Sequence, residues 1–158
     1  MQRKKNKYLI PLLYMDKKIY KKYLKSHNLY KKGYKKYAYY IFYKIQKKYN
    51  CAISPQAIIG KNLNMPHPIC IVIGKDAKIG DNCTIFQDVT IGQNDNKFPT
   101  LGDNVIIYAG AKIIGDVKIG NNVIVGANAV VTHDIPDNCI VAGVPAKIIK
   151  KRTNKWKM

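Results

Sequence analysis

Aliphatic residues recur every six positions over the middle of the chain, from residue 73 to residue 131, with one interruption. A small or β-branched residue stands two positions before nearly every one of them, and glycine follows six of them. This period fits neither an α-helix nor a hairpin strand, but is typical of a repeat in which six residues supply one short strand and one turn. Three such units close a triangular coil, and the aliphatic side chains stack along its axis. The aliphatic positions are Ile73, Ile79, Ile85, Ile91, Leu101, Ile107, Ile113, Ile119, Val125 and Val131, and the small ones are Ala77, Cys83, Val89, Val105, Ala111, Val117, Val123 and Ala129.

Two loops interrupt the repeat. Eight residues instead of six separate Met65 from Ile73, and His67 lies in this slip, so we expect its side chain outside the apolar core. The second loop, residues 93–100, adds four residues and lies four steps after the first. Because three steps complete a coil, the loops are predicted to leave adjacent corners of the prism, where a threefold trimer would place a cleft between subunits. After Val131 the chain is expected to leave the prism.

The segment before the repeat, residues 1–50, contains eleven of the twelve tyrosines. Apolar and aromatic positions spaced three and four apart between residues 17 and 49 predict two short amphipathic helices, broken near Gly33. We interpret this segment as a helical cap over the open end of the coil. The predicted organisation is thus a helical segment at 1–50, the β-helix at 51–146 and a basic tail at 147–158.

Positive charge is concentrated at the two ends of the chain. Residues 1–50 hold sixteen Lys and Arg against the single acid Asp16, whereas the repeat has six Lys and eight Asp. Two uses of this charge stay open besides capping: peripheral contact with an anionic membrane and binding of nucleic acid. Nucleic acid is disfavoured, since no recognised binding motif is present and Lys rather than Arg dominates.

The four cysteines, Cys51, Cys70, Cys83 and Cys139, show no C-x-x-C spacing. We interpret them as core residues in a reducing compartment rather than as disulfides or metal ligands, and expect no metal. The sequence also shows neither a signal peptide nor a membrane span, since the longest early apolar run is short and contains Pro11. A cytoplasmic protein is expected, with any membrane contact at the inner face.

Four segments of the chain resemble the left-handed β-helix acyltransferases, and in particular the serine acetyltransferase branch. They are residues 67–74, 87–92, 108–112 and 142–149, and the resemblance covers about residues 51 to 150. That branch also includes many O-acetyltransferases of surface polysaccharides. The resemblance implies an all-β repeat fold, a left-handed parallel β-helix, assembled as a homotrimer. It also implies acetyl-CoA as the acyl donor, bound in the groove between two prisms.

Acetyl transfer to a hydroxyl needs a base for the hydroxyl proton and donors for the developing oxyanion, and imidazole suits the first role. Of the three histidines, His67 alone matches the catalytic position of the family. His27 and His133 are expected to be solvated surface residues. Asp88, whose slot in the repeat points outward, and a backbone carbonyl are the candidates for orienting His67.

The resemblance assigns the cofactor to a second group of residues. The backbone of Ala109, Gly110 and Ala127 would lie beside the pantetheine arm, with one of these amides as the oxyanion donor. Tyr108 stands where relatives usually have glycine and is expected to reshape the groove. At the end of the chain, the side chains of Lys147 and Arg152 are candidates for binding the CoA phosphates.

Three departures from the serine acetyltransferase pattern bear on the acceptor. Ala52 takes the place of the carboxylate that orients the histidine in the family, Pro66 that of a second acidic residue, and Phe98 that of a histidine used for serine recognition. We therefore predict an acetyl-CoA-dependent O-acetyltransferase that acts on a sugar hydroxyl in surface-polysaccharide biosynthesis. The alternatives are a serine O-acetyltransferase and a noncatalytic trimeric β-helix scaffold.

Overall fold

The computed structural model describes residues 15–152 and consists of a helical hairpin followed by a β-helix. Helix α1 spans Met15–Lys31 and helix α2 spans Lys35–Tyr49. No helix within residues 15–152 has both the length and the apolar character needed to cross a bilayer. The strands are β1 (Ala52–Ile53), β2 (Ile58–Ile59), β3 (Val72–Ile73), β4 (Lys78–Ile79), β5 (Thr84–Ile85), β6 (Thr90–Gly92), β7 (Thr100–Leu101), β8 (Ile106–Ile107), β9 (Lys112–Ile114), β10 (Lys118–Ile119), β11 (Ile124–Val125), β12 (Val130–Val131), β13 (Cys139–Ala142) and β14 (Lys147–Lys151).

The strands form the three faces of a prism. Face 1 is the sheet β1-β3-β6-β9-β12, face 2 is β2-β4-β7-β10, and face 3 is β5-β8-β11-β13-β14. Every strand pair is parallel except β13 with β14. The chain visits the faces in the order 1, 2, 3, and we name each corner by the two faces it joins. The predicted left-handed parallel β-helix with a helical N-terminal segment is confirmed.

The lengths of successive coils follow the predicted interruptions. The strands of face 1 begin at residues 52, 72, 90, 112 and 130, so two coils have eighteen residues and the other two have twenty and twenty-two. The first loop precedes β3 at corner 3–1, and the second follows β6 at corner 1–2. The two loops therefore lie at adjacent corners, on either side of face 1, as the spacing predicts.

The axis of the prism is filled by the residues that define the repeat. The ten aliphatic positions are at most 4% exposed and the eight small positions at most 2%. Three of the cysteines are buried as predicted, but Cys70 is exposed. The prediction was wrong for Cys70 because the first loop shifts the phase of the repeat. Cys70 consequently occupies a turn at corner 3–1 with a φ of 55°, the conformation that Asp88 adopts one coil later.

The turns at corner 2–3 explain a second regularity of the sequence, Gly-Asp/Asn-Asn. The asparagine of each turn has a φ between 55° and 57°, a conformation that asparagine tolerates well. In four of the five turns the residue before the asparagine is Asp or Asn, and its side chain accepts a hydrogen bond from the coil below, as in the 2.7 Å contact between Asp103 Oδ1 and the N–H of Asp81. A Cβ on Gly80 would lie 2.3 Å from that same oxygen, so only glycine fits there. The turn asparagines are Asn62, Asn82, Asn104, Asn122 and Asn138.

The helical hairpin packs on the first coil and covers its open end, as predicted. Ile19, Tyr23 and Ile45 are buried in the same cluster as the prism axis. The Tyr23 hydroxyl donates a 2.8 Å hydrogen bond to the carbonyl of Ala57, and burial raises its pKa. His27 is also half-buried here.

The expectation that His27 is a solvated surface residue was wrong. Its Nδ1 lies 2.9 Å from the carbonyl oxygen of Pro55, so the ring is tied to the first coil. His133, in contrast, is exposed as predicted.

The chain does not leave the prism after Val131, contrary to the prediction. Ile135 forms a bridge with Ile119 on face 2, and β13 extends face 3. The spacing shortens to four residues between Val131 and Ile135 and returns to six between Ile135 and Val141, and burial of both later side chains keeps the coil closed. The first five residues of the predicted basic tail form β14, which pairs with β13, while residues 153–158, like residues 1–14, lie outside the described part of the chain.

Candidate active site

Corner 3–1 gathers most of the residues that the sequence singled out. The strands β5, β8 and β11 lie in register on face 3, so the residues that follow them stack in successive coils. Phe86, Tyr108 and Gly126 thus occupy equivalent positions, with His67 in the loop that enters the corner below them. The predicted site residues at this corner are His67, Asp88, Tyr108, Ala109, Gly110 and Ala127.

His67 lies outside the apolar core, as predicted. Its side chain is exposed, and its ring nitrogens make no hydrogen bond to any residue between 15 and 152. Its backbone is held by a 2.8 Å hydrogen bond from the N–H of Ile69 to the carbonyl of His67. Both nitrogens are therefore accessible to a substrate that approaches this corner.

An aromatic column stands beside the histidine. The ring of His67 lies 6.3 Å from that of Phe86, at 45°, and Phe86 stacks on Tyr108 with centroids 5.1 Å apart and planes 19° apart. We call His67, Phe86 and Tyr108 the aromatic column. Sequence reasoning missed Phe86, although it directly follows a buried aliphatic residue, the same slot that drew attention to Tyr108.

Asp88 is paired with a lysine instead of the histidine. Its Oδ1 lies 3.2 Å from Nζ of Lys112, and the same ammonium group donates to the backbone carbonyl of Asp88. Within the described residues no hydrogen bond joins Asp88 to His67. The pattern had indicated Asp88 as a partner of His67, but the structure adds Lys112, which lies one coil further along the same corner.

Two of the three candidate oxyanion donors at corner 3–1 have a backbone N–H without an acceptor among residues 15–152. The N–H of Gly110 is occupied, because it donates a 3.0 Å hydrogen bond to the carbonyl of Gln87. The N–H groups of Ala109 and Ala127 have no acceptor in the described part of the chain. Of the three candidates, Ala109 and Ala127 are therefore the ones that can hold an oxyanion.

Gly110 has a structural role at the same corner. Its φ is 75°, and a Cβ there would lie 2.0 Å from Oδ1 of Asn128. Gln87 is notable for a different reason: its Oε1 is buried without a hydrogen-bond partner among residues 15–152. The narrow turns of this corner thus leave both unused donors and an unused acceptor near the aromatic column.

The two basic candidates lie at opposite ends of β14. Lys147 pairs with Ala142, which lies directly against Gly126, so Lys147 is close to corner 3–1. Arg152 lies at corner 2–3, where its Nη1 donates to the carbonyl oxygen of Asn122 at 3.3 Å. Within one chain the structure brings Lys147, but not Arg152, to the edge that carries His67.

The structure also shows where two of the residues that depart from the family pattern, Ala52 and Phe98, lie. Ala52 begins β1 on face 1 and pairs with Val72, so a methyl group stands where a carboxylate would face the first loop. Phe98 lies in the second loop, against Gly74 and on the far side of face 1 from His67. Among the described residues no group of three or more His, Cys, Asp or Glu has the arrangement of a metal site.

Comparison with known proteins identifies relatives of the β-helix. The family profile of the bacterial transferase hexapeptide (six repeats) matches residues 98–133. A serine acetyltransferase of Staphylococcus aureus (strain Mu50) is 46% identical over 103 residues, which are 63% of this chain and 48% of that protein. The chain thus spans about half the length of the curated relatives it matches.

Solved structures give the same result over a larger part of the chain. The serine acetyltransferase of Neisseria gonorrhoeae superposes with a TM-score of 0.83 at 32% identity, covering 87% of this chain and 55% of the other. A serine acetyltransferase from Brucella abortus strain S19, solved in complex with coenzyme A, gives a TM-score of 0.81 at 33% identity, covering 84% and 55%. The similarity therefore includes part of the helical segment as well as the repeat.

Proposed function

The repeat of this chain belongs to the hexapeptide-repeat acyltransferase superfamily, and from this premise we propose that the protein is an acetyl-CoA-dependent O-acetyltransferase. The observation that carries the proposal is corner 3–1, where the exposed His67 lies on the same edge as the amides of Ala109 and Ala127, and none of these groups has a hydrogen-bond partner among residues 15–152. A relative of the same fold, solved in complex with coenzyme A, supports acetyl-CoA as the donor.

In the proposed reaction, a nitrogen of His67 accepts the proton of the acceptor hydroxyl as its oxygen attacks the thioester carbonyl carbon. The C–O bond forms, and negative charge develops on the carbonyl oxygen, which the N–H of Ala109 or Ala127 stabilises. Collapse of the tetrahedral intermediate breaks the C–S bond. The proton passes from the imidazolium of His67 to the departing sulfur, so the products are the acetyl ester and CoA.

We propose that the active unit is a homotrimer with its sites between subunits. Ile69 donates its N–H to the carbonyl of His67, and Val72 begins the strand that follows the same loop. They are 49% and 39% exposed, although most aliphatic residues of the repeat are buried. Packing of a second prism against this edge would cover both side chains and close a groove over corner 3–1. Lys147 lies on the same edge and is placed to meet the CoA phosphates of such a groove, and Arg152 would meet them from a neighbouring subunit.

Free serine is the acceptor that the relatives support best, because those named above are serine acetyltransferases. A sugar hydroxyl is the second candidate, favoured by a specific observation. Ala52, Pro66 and Phe98 leave the chain without three groups of the serine acetyltransferase pattern. The two candidates share the donor and the base and differ only in what occupies the acceptor side of the groove.

The acceptor assay separates these candidates. We expect CoA release from acetyl-CoA to accelerate on addition of L-serine and to stay at the hydrolytic background with a panel of hexoses, N-acetylhexosamines and sugar alcohols. Turnover with a sugar alone would establish the second candidate instead. If no acceptor is turned over and calorimetry with CoA shows no heat of binding, the chain is a noncatalytic scaffold.

We also propose that the helical hairpin holds the protein against an anionic membrane surface. Five exposed lysines of α1 and the following turn surround a shallow groove floored by Leu29 and Tyr49. Asp16 is the only acid in the hairpin, so little opposes this charge. The combination of ammonium groups with an apolar floor is complementary to anionic headgroups above acyl chains. The five lysines are Lys18, Lys21, Lys22, Lys25 and Lys32.

Vesicle flotation tests the membrane proposal. The full chain is expected to float with phosphatidylcholine vesicles only when they contain phosphatidylserine, and less at high salt. Each lysine near such a surface contributes about 1 kcal/mol, so Lys21→Glu with Lys25→Glu should weaken binding at least roughly 30-fold. Lys61→Glu with Lys78→Glu, on the prism, is the control for net charge. Equal flotation of the two double variants would contradict the proposal.

A further inference from the structure

We propose that Phe86, supported by Tyr108, is a positioning residue that sets the orientation of the His67 ring. This inference rests on the proposed function, because it assumes that His67 is the base. In the serine acetyltransferase pattern a carboxylate orients the histidine, but Ala52 stands in its place here. Asp88 is held by Lys112. The aromatic column is the contact that the described structure offers to the ring instead.

The geometry of the column suits this role. Aromatic rings attract each other at centroid separations of about 4.5 to 7 Å, with offset-stacked and edge-to-face arrangements preferred over a face-to-face sandwich. The His67–Phe86 pair, at 6.3 Å and 45°, lies in this range, and so does the closer Phe86–Tyr108 stack. The contact uses the edge or face of the imidazole, and no hydrogen bond from the described residues occupies its two nitrogens. A ring contact can therefore restrict rotation of His67 while both nitrogens stay available for proton transfer.

Phe86 can position another side chain because its own position is fixed by the prism. Its N–H donates a 3.0 Å hydrogen bond to the carbonyl of Ile107, and that of Tyr108 donates a 2.9 Å bond to Val125. Both rings are half-buried. The column ends one coil further on, where a Cβ on Gly126 would lie 2.9 Å from that of Ala142. The two rings therefore form a short wall with His67 at its open end.

The arrangement has a consequence for catalysis that differs from that of a carboxylate. A carboxylate orients imidazole and also stabilises the imidazolium, whereas an aromatic wall mainly orients it. Loss of the wall should therefore lower kcat through misplacement of the base. The KM for acetyl-CoA should change little, because the backbone of Ala109 and Ala127 and the side chain of Lys147, which hold acetyl-CoA in the proposed site, are left in place. Misplacement of a catalytic group by about 1 Å can reduce the rate about 100-fold.

The test replaces Phe86 in the full chain and reads His67 directly. Phe86→Leu retains apolar volume but removes the ring, and Phe86→Tyr retains the ring. The readouts are the imidazole Cε1–H resonance of His67 and steady-state kinetics with acetyl-CoA and the acceptor found above. His27 and His133 are internal references for the resonance, and Phe42→Leu, which removes a half-buried ring from α2, is the matched control.

We expect Phe86→Leu to change the chemical shift of the His67 Cε1–H resonance, because the ring current of Phe86 is lost. The same variant should have a kcat about 10- to 100-fold lower and an unchanged KM for acetyl-CoA. Phe86→Tyr should restore both, and Phe42→Leu should affect neither. A folded Phe86→Leu protein with an unchanged His67 resonance would overturn the proposal, whatever its activity. If Phe86→Leu does not fold, Tyr108→Leu is the deciding variant. The His67 resonance should shift in it, and an unchanged resonance would contradict the proposal that the two rings position His67.

The two proposals fail in different ways. If His67 is not the base, His67→Ala retains activity, yet the resonance still reports whether the ring of Phe86 lies against that of His67. If His67 is the base but Phe86 does not position it, His67→Ala is inactive and the Phe86 variants behave as wild type.

Discussion

Replacing His67 with alanine is expected to reduce acetyl transfer by about 100- to 10,000-fold, the usual contribution of a positioned general base. The loss should appear in kcat, because the variant lacks the group that accepts the hydroxyl proton while the acetyl-CoA site is intact. The fold should be unaffected, since the His67 side chain is exposed and makes no hydrogen bond that the prism needs. Steady-state kinetics with the acceptor identified above measure the change.

His133→Ala is the matched control for this substitution. His133 is exposed as well, but it lies in the turn after β12, away from corner 3–1. Both variants should have the wild-type thermal midpoint and the same sedimentation behaviour. Full activity of His67→Ala, or equal losses in the two variants, would exclude His67 as the base.

Replacing Ile107 with alanine is expected to lower the free energy of unfolding by about 2 to 5 kcal/mol. Ile107 is fully buried on the axis of the prism, between Ile85 and Val125 of the neighbouring coils. Buried side chains from all three faces surround Ile107 on the axis, so its neighbours have little freedom to fill the cavity. In a repeat array the loss of a buried side chain also weakens the contacts between adjacent coils, and these contacts supply much of the stability.

Urea titration measures the effect, with Ile149→Ala as the matched control. The same chemical change is made there, but Ile149 lies on β14 and is 67% exposed, so its replacement should change the free energy by less than about 0.5 kcal/mol. Equal losses at the two positions would contradict the assignment of Ile107 to the prism axis.

Much of the β-helix is readable from the repeat, because each position in a six-residue unit has one structural meaning. The aliphatic and small positions are buried, and both interruptions become loops. The interpretation was wrong where the repeat lapses. Cys70 is exposed because a two-residue slip moves it into a turn, and residues 132–142 continue the prism although their spacing is irregular. His27 is tied to Pro55 by packing of the helices, which no local pattern reports.

In the candidate site, too, some residues could be predicted from the sequence and others could not. His67 was identifiable from its loop and from the family pattern, and the structure places it outside the core. Phe86 was missed, because a single aromatic residue after a buried strand position has no meaning until its neighbours in other coils are known. Its contacts with His67 and Tyr108 join residues nineteen to twenty-two positions apart in sequence.

The sequence by itself determined which side chains point inward, how many residues each coil contains and where the chain must bulge, since these depend on spacing along one strand and one turn. Tertiary structure alone decided which side chains meet at a corner, because that depends on the register between coils. In the tertiary structure Phe86 lies between His67 and Tyr108, and Asp88 is paired with Lys112. Lys147 begins the antiparallel strand β14, and Arg152 lies at its other end. Hydrogen bonds between coils set that register, and their partners lie about one full turn of the prism away.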